Sequence, residues 1–327
     1  MRRGSLILTL TRRCNLRCSY CPTVKDGWPS LTRAQVARAF ELFAERGGGD
    51  VKLFGGEPLL EPELVEEALV CAEKERTVRR LYLSTNGIGL TPALLDRLAA
   101  HPKLVLTLSM DGRPDDHRRL RRALPVEGTT DAYAHLVALM PKLRRMRRVV
   151  VTQTIAPATA AATFENFSHL RELGWWRFNF LPGYYLPWSD DQLGALEHGF
   201  RTIGDAIADG WEHGERLYVR NLFTLAPTPF FNTGLVVDSD GSIHATNVGL
   251  SSSLDGLLEA TRVGTLERPP TAAELQRAAE RVPAMLEREV APQVLASTQA
   301  VDQLLTAFCE RLYPHYLRDR QRRRSVA

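Results

Sequence analysis

A chain of 327 residues, 44% of them hydrophobic, can bury a large core, which excludes disordered and fibrous classes and suggests one sizeable domain with an appendage. The formal charge is +4, and of 42 basic residues only five are Lys (25, 52, 74, 103 and 142), an Arg bias that reflects a GC-rich coding sequence better than nucleic-acid binding. Five cysteines, three of them clustered, are a poor disulfide framework at this length, so metal or redox chemistry in a reducing compartment is the better reading.

The first element is SLILTL (5–10). The preceding MRRG carries charge, but the apolar run of about six residues leads into cysteines without a small-residue cleavage site, so it reads as a strand and not as a signal peptide. No run of about 20 apolar residues follows anywhere, so no membrane span is expected and the cytoplasm is the expected location. Further β-rich runs are VKLFG (51–55), RLYLST (80–85), LVLTLS (104–109), RVVVTQTI (148–155) and RFNFLP (177–182). Helical periods lie between and after them, near 32–46, 61–75, 91–100, 130–146, 163–173 and 190–209. Thr32, Pro62, Thr91 and Pro92 mark helix starts. Repeated strand–helix units imply parallel strands with right-handed crossovers, and six units make an α/β barrel or a partial one. The strands are apolar nearly throughout, as burial on both faces requires. In such barrels chemistry sits at the C-terminal strand ends.

Off those ends come the loop TRRCNLRCSYCPT (11–23), then Gly55-Gly56-Glu57-Pro58, Ser84-Thr85-Asn86-Gly87, Ser109-Met110-Asp111-Gly112, Thr152-Gln153-Thr154 and Leu181-Pro182-Gly183. Ordinary βα turns explain any one of these but not their convergence with three cysteines. Cys14, Cys18 and Cys21 supply three thiolates with no fourth cysteine nearby, whereas structural zinc sites close with four protein ligands. A cubane [4Fe-4S] cluster held by three cysteines leaves one iron open.

Here the sequence resembles the radical S-adenosylmethionine (SAM) enzymes, whose CxxxCx-aromatic-C loop follows the first strand. Cys14-Asn-Leu-Arg-Cys18-Ser-Tyr20-Cys21 has the aromatic in place, and the resemblance covers roughly residues 5 to 190. It implies an α/β fold, a partial (β/α)6 TIM-like radical SAM barrel with a small C-terminal α+β extension, divided as residues 1–215 and 216–327. It further implies one [4Fe-4S] cluster on Cys14, Cys18 and Cys21, with the amino and carboxylate groups of SAM on the open iron. Gly55, Gly56 and Glu57 match the element that accepts hydrogen bonds from the SAM ammonium. Ser84 and Asn86 match positions facing the ribose or methionine. Ser109 matches a position that binds the SAM carboxylate, with Arg121 as its ionic partner in competition with Arg118, Arg119 and Arg122. Tyr20 is placed near the adenine. An electron from an external donor such as flavodoxin or ferredoxin would cleave SAM to methionine and a 5′-deoxyadenosyl radical that takes a hydrogen atom from substrate, the protein supplying placement and dryness. On this reading His117 is a locally packed loop residue and His244 a strand-end residue.

In the second half, FFNTGLVVDSDGSIHATN (230–247) reads as two strands joined by an Asp-Gly turn. It resembles the first hairpin of SPASM and twitch extensions, with Thr246 or Asn247 where a cysteine is expected. Only Cys71 and Cys309 remain, too few for a second cubane, so a SPASM-like extension without its auxiliary cluster is inferred. Both residues read as helical packing, Cys71 in a buried core position, with a hydrogen-atom donor or substrate contact as the other reading of Cys309. Tyr184, Tyr185 and Trp188 follow the sixth strand and are read either as walls of the substrate cavity or as core. The tail RDRQRRRSVA reads as a frayed, solvated end. The extension is expected to select the substrate and not to govern SAM cleavage. SPASM-like proteins commonly modify ribosomally made peptides by crosslinking, epimerisation or other side-chain changes. The first strand begins within five residues of Met1, leaving no separate leader-binding domain, so a small-molecule intermediate is the alternative substrate. A non-catalytic zinc protein using Cys309 as fourth ligand is the third reading, opposed by the GGEP and STNG elements.

Overall fold

A computed structural model of the protein describes residues 4–124, 131–223, 234–250 and 255–325. Strand β1 (Gly4–Thr11) and the short β2 (Leu16–Cys18) precede helix α1 (Arg33–Glu45), then β3 (Gly49–Gly55), α2 (Pro62–Lys74), β4 (Val78–Thr85), α3 (Pro92–Ala100) and β5 (Leu104–Ser109). Next come α4 (Pro114–Leu120), β6 (Arg121–Ala123), α5 (Ala132–Leu143), β7 (Val149–Ile155), α6 (Thr163–Glu172), β8 (Arg177–Pro182), α7 (Asp190–Glu212) and β9 (Tyr218–Val219). The chain continues through β10 (Leu235–Val237), β11 (Ser242–His244), α8 (Asp255–Thr261), β12 (Arg262–Thr265), α9 (Ala272–Glu289) and α10 (Pro292–Ser325). The fold is the expected α/β class, a partial (β/α)6 barrel carrying further C-terminal elements. All six expected barrel strands form, and each is followed by a helix where the helical period places one.

The helix starts have visible causes. Thr32 accepts from the Gln35 amide at 3.2 Å while its own amide donates to Gln35 Oε1 at 2.9 Å, closing a capping box. Thr91 caps Leu94 N at 3.1 Å, and Pro62 occupies the first turn of α2, where its missing N–H costs nothing.

By contact the chain divides into two compact units, residues 1–109, 121–149 and 228–291 in one and residues 110–120, 150–227 and 292–327 in the other. In the first, β10, β1, β3, β4 and β5 run parallel side by side, and β11 and β12 add antiparallel beyond β10. Register aligns Val237, Leu8, Leu53, Leu83 and Leu106 in one row, each 0% exposed. Fully burying such side chains supplies about 1.5–3 kcal/mol apiece and fixes the pairing, since a one-residue slip would turn the row to the other face. The alternate row contains Lys52 opposite Tyr82 and Ser84 opposite Thr107, with Lys52, Tyr82 and Ser84 half-buried. That face is mixed, because Val236, Ile7 and Val105 stand in register with Lys52 and Tyr82 and are buried.

The hairpin of the second half, β10 with β11, forms where the Asp-Gly turn places it. Gly241 takes φ +83°, a left-handed conformation suited to glycine, and donates its amide to Asp238 O at 2.9 Å. Residues 230–233 of that stretch lie outside the described residues.

In the second unit β7, β8 and β9 are parallel, and Phe167, Phe178, Phe180, Phe200 and Phe308 form a ring cluster with centroids 4.9–6.3 Å apart along its chain of contacts. Three expectations need correction. His117 lies on α4 and not in a loop, buried, with Nδ1 3.3 Å from the Asp111 amide that donates to it. Cys71 is half-buried, its thiol 3.6 Å from Glu67 Oε1. The basic tail is helical through Ser325, because Arg322 donates to the Trp211 and Glu212 carbonyls at 3.0 and 3.1 Å, at the C-terminal end of α7 where cations are favoured.

Candidate functional site

The predicted site residues lie in the first unit, on or beyond the C-terminal ends of its parallel strands. β1 ends at Thr11 and passes directly into the cysteine loop. Against its start lies the strap from β3: the Gly56 amide donates to Thr11 O at 2.9 Å and the Glu57 amide to Arg13 O at 2.8 Å. A Cβ on Gly56 would sit 2.1 Å from Arg13 O and 2.3 Å from Arg12 O, and one on Gly55, at φ +133°, 2.1 Å from Thr11 O. These glycines therefore serve a close backbone approach within the protein, clamping the GGE strap to the residues that enter the cysteine loop.

The loop itself is partly ordered by a two-stranded ribbon that sequence periodicity did not reveal. β2 pairs antiparallel with β6, setting Cys18 opposite Arg121. Lys25, buried, donates to Leu16 O at 3.1 Å, and Arg17 to Cys14 O at 2.9 Å. Cys14, Cys18 and Cys21 are half-buried free thiols. Burial raises the Cys14 thiol, opposed by the Leu16 amide that donates to Sγ at 3.4 Å and by the field of Lys25.

Glu57 is 1% exposed. Its Oε1 accepts from Thr85 Oγ1 at 2.6 Å and the Leu59 amide at 3.0 Å, and its Oε2 from the Asn86 amide at 2.7 Å. Burial pushes this carboxyl up, and the Thr85 and Asn86 hydrogen bonds, then the Leu59 amide and the Arg121 charge, pull it back. Asn86 also donates through Nδ2 to Asn15 Oδ1 at 2.7 Å, with that nitrogen 4.0 Å from Cys14 Sγ. Arg121 is 8% exposed and places its guanidinium 5.4 Å from the Tyr20 ring centre. Arg118, Arg119 and Arg122 are exposed, and Arg119 is tied to Asp116 at 3.1 Å, so of the four arginines Arg121 alone is buried. Ser109 ends β5 and Ser84 stands one residue before the end of β4, both half-buried, with no hydrogen bond to the others among the described residues. Thr85 and Asn15 were not singled out from sequence. Thr85 lay inside the STNG turn, but only the tertiary contact with Glu57 gives it a role.

The donor set suits an iron-sulfur cluster better than a lone ion. Three soft thiols share one short loop, whereas among the described residues no three His, Cys, Asp or Glu side chains are gathered as a single ion requires. Cys309, in the second unit, is 5% exposed and its thiol is pushed up to about 12 by burial, a poor source of a thiolate ligand.

Residues 8–156 match the family described as the Radical SAM superfamily. That stretch is a radical SAM domain, the mark of the radical SAM superfamily. Its members use a [4Fe-4S] cluster and SAM. Among curated relatives, this radical SAM chain is 34% identical over 131 residues to the GTP 3′,8-cyclase of Synechococcus sp. (strain CC9902), covering 39% of this chain and 37% of the cyclase. It is 39% identical over 117 residues to the PqqA peptide cyclase of Ruegeria pomeroyi, covering 34% and 30%. The chain thus spans about a third of the length of these relatives. Among solved structures, anSMEcpe with bound AdoMet superposes at a TM-score of 0.70 and 17% identity over 97% of this chain and 98% of that one, which establishes likeness of fold. No helix among the described residues is long and apolar enough to cross a membrane.

In the second unit, the segment after β8 is clasped to α10. Tyr184 Oη donates to Asp302 Oδ1 at 3.2 Å, Tyr185 N to Thr298 Oγ1 at 2.9 Å, and Trp188 N to Ser297 Oγ at 3.2 Å. Tyr185 and Trp188 are each 7% exposed, so both are packed side chains, and Tyr185 holds a left-handed φ of +58°. Burial pushes the Asp302 carboxyl up to about 6. A carboxyl raised in the fold favours folding while protonated, so its contribution is complete below its ordinary value of 3.8 and is lost as pH rises through about 6. Asp302→Asn, which mimics the neutral acid, should therefore melt at the wild-type temperature at pH 4 and above it at pH 7.5 in thermal scans. A variant that melts lower at both pH values would refute this.

Proposed function

We propose that this radical SAM enzyme abstracts a hydrogen atom from a ribosomally made peptide, leading to a crosslink, an epimerisation or another side-chain change. The observation that carries the cofactor half of this reading is the arrangement in which Asn86 joins the Cys14 region to the buried Glu57, with Arg121 facing Cys18 across the ribbon. Cys14, Cys18 and Cys21 would hold the cluster. Among the described residues Glu57 Oε2 accepts from Asn86 N, and it would keep acceptor capacity for the SAM ammonium, aided by the backbone of Gly55 and Gly56. An ammonium there would offset the burial that disfavours the Glu57 anion. Arg121 with Ser109 would hold the SAM carboxylate, Ser84 and Asn86 the ribose or methionine portion, and Tyr20 the adenine. When bound, cluster and SAM supply reductive cleavage of the sulfonium, with the electron from an external donor such as flavodoxin or ferredoxin.

We further take residues 1–215 as the core and 216–327 as a SPASM-like extension without an auxiliary cluster. The peptide reading is supported by 39% identity to a peptide cyclase and by the fold likeness to anSMEcpe with AdoMet and a Cp18Cys peptide, which superposes at a TM-score of 0.69 and 17% identity over 99% of each chain. The second reading, a small-molecule intermediate, is favoured by the 34% identity to a GTP cyclase. Incubation of the reconstituted enzyme with deuterated candidates separates them: deuterium should pass into 5′-deoxyadenosine from a peptide. Transfer from small molecules alone would reject the peptide.

A further inference from the structure

Arg12 stands two residues before Cys14, and its side chain turns away from the loop into the protein. The guanidinium is 1% exposed, with Nε donating to Asp238 Oδ1 at 3.1 Å and Nη2 donating to Asp238 Oδ2. Asp238 is 0% exposed, opens the turn between β10 and β11, and also accepts from the Ser239 amide at 2.7 Å. Above the guanidinium lies Trp28, with its ring centre 3.6 Å from the Arg12 carbon. Trp28 belongs to the segment leaving the cysteine loop, which is stitched back onto β1 by the Leu31 amide donating to Leu10 O at 2.9 Å. The Arg12 carbonyl is one of the atoms a Cβ on Gly56 would strike, at 2.3 Å. Both flanks of the cysteine loop, the GGE strap and the hairpin therefore meet at one residue.

We propose that Arg12 is a positioning residue for the cysteine loop, held in place by Asp238, so that the hairpin of the extension sets the geometry of the residues that bind the cluster; the assignment of a cluster to that loop is the reading given above. A fully buried ion pair is weak evidence of a stability role, because two apolar residues of similar volume commonly fold as well. What the pair adds is direction. A bidentate fork fixes both the distance and the plane of the guanidinium, and the aromatic face closes a third side. The strap and the ribbon hold the loop through backbone hydrogen bonds, whereas Arg12 is the side chain that ties its take-off from β1 to the hairpin. On this proposal the hairpin acts at the cysteine loop in addition to the substrate selection expected of the extension from sequence.

The test separates positioning from stability. Asp238→Asn keeps the shape but leaves a buried cation uncompensated. The double variant Arg12→Met, Asp238→Leu removes both charges. In cluster-free protein, hydrogen exchange at residues 14–21 should be about tenfold faster in both variants, with β4 and β5 unchanged. The double variant should melt at the wild-type temperature and, after reconstitution, show a shifted cluster midpoint potential and an altered electron paramagnetic resonance envelope. Wild-type exchange at 14–21 together with an unshifted potential in the double variant would overturn the proposal. Native-state exchange of the unsubstituted, cluster-free chain gives a readout that needs no variant. The amide of Cys21, which donates to Cys18 O at 3.1 Å, should open with the same denaturant dependence as that of Gly241 in the hairpin, and separate openings would count against coupling. Failure of the wild-type chain to take up iron would instead strike the cluster reading and leave the exchange result to stand on its own.

Discussion

Anaerobic reconstitution of the wild-type chain should load about four iron and four sulfide per polypeptide, and Cys14→Ala, Cys18→Ala and Cys21→Ala should each abolish loading. The effect is expected to be all-or-none because each thiolate would hold a separate iron, and nothing nearby would replace it: among the described residues no three His, Cys, Asp or Glu side chains are gathered for a metal ion. Cys71→Ala and Cys309→Ala should load as the wild type does. Cys71 sits on α2 with its thiol raised to about 11, mainly by burial, and Cys309 lies on α10 raised to about 12 by the same cause, so neither is a ready thiolate. Iron analysis with the visible absorption of the cluster reads the result. Stoichiometric zinc without that absorption would sink the enzyme reading, and about eight iron per chain would show that the extension has its own cluster.

Glu57→Gln should weaken SAM binding while leaving the cluster spectrum intact. The amide keeps the size of the carboxylate and one acceptor oxygen, enough for the Thr85 and Leu59 donors that share Oε1, but it turns an NH2 toward the Asn86 amide and loses the charge that would meet an ammonium. Losing a charged hydrogen bond in a buried site costs about 1.5–3 kcal/mol, which is roughly ten- to more than a hundredfold in affinity by calorimetric titration of the reconstituted protein. Glu57→Ala is a harsher change, since three donors are left unpaired at a residue 1% exposed, and it should lower the melting temperature as well as the affinity. Unchanged SAM affinity in the Gln variant, with the cluster intact, would show that Glu57 serves only to hold Thr85 and Asn86.

Much of the fold was legible because its signals are local. Six apolar runs, spaced by helical periods and started by Thr32, Pro62 and Thr91, give strand and helix with little reference to the rest of the chain. The cysteine spacing, the paired glycines and the Asp-Gly turn are equally local, since each is a backbone or donor requirement met within a few residues. By itself the sequence thus determined the barrel class, the cysteine loop with its family, and the position of the hairpin formed by β10 and β11.

Tertiary structure decided which of several similar residues matter. Four arginines between 118 and 122 are indistinguishable by composition, and only the pairing of β6 with β2 buries Arg121 opposite Cys18. Thr85 and Asn15 acquire roles from Glu57 and Asn86, partners 28 and 71 residues away. The ion pair of Arg12 with Asp238 joins residues 226 apart. The basic tail and Cys71 were misread for the same reason: how far a side chain is covered depends on which distant surface arrives beside it, and neither spacing nor propensity carries that information.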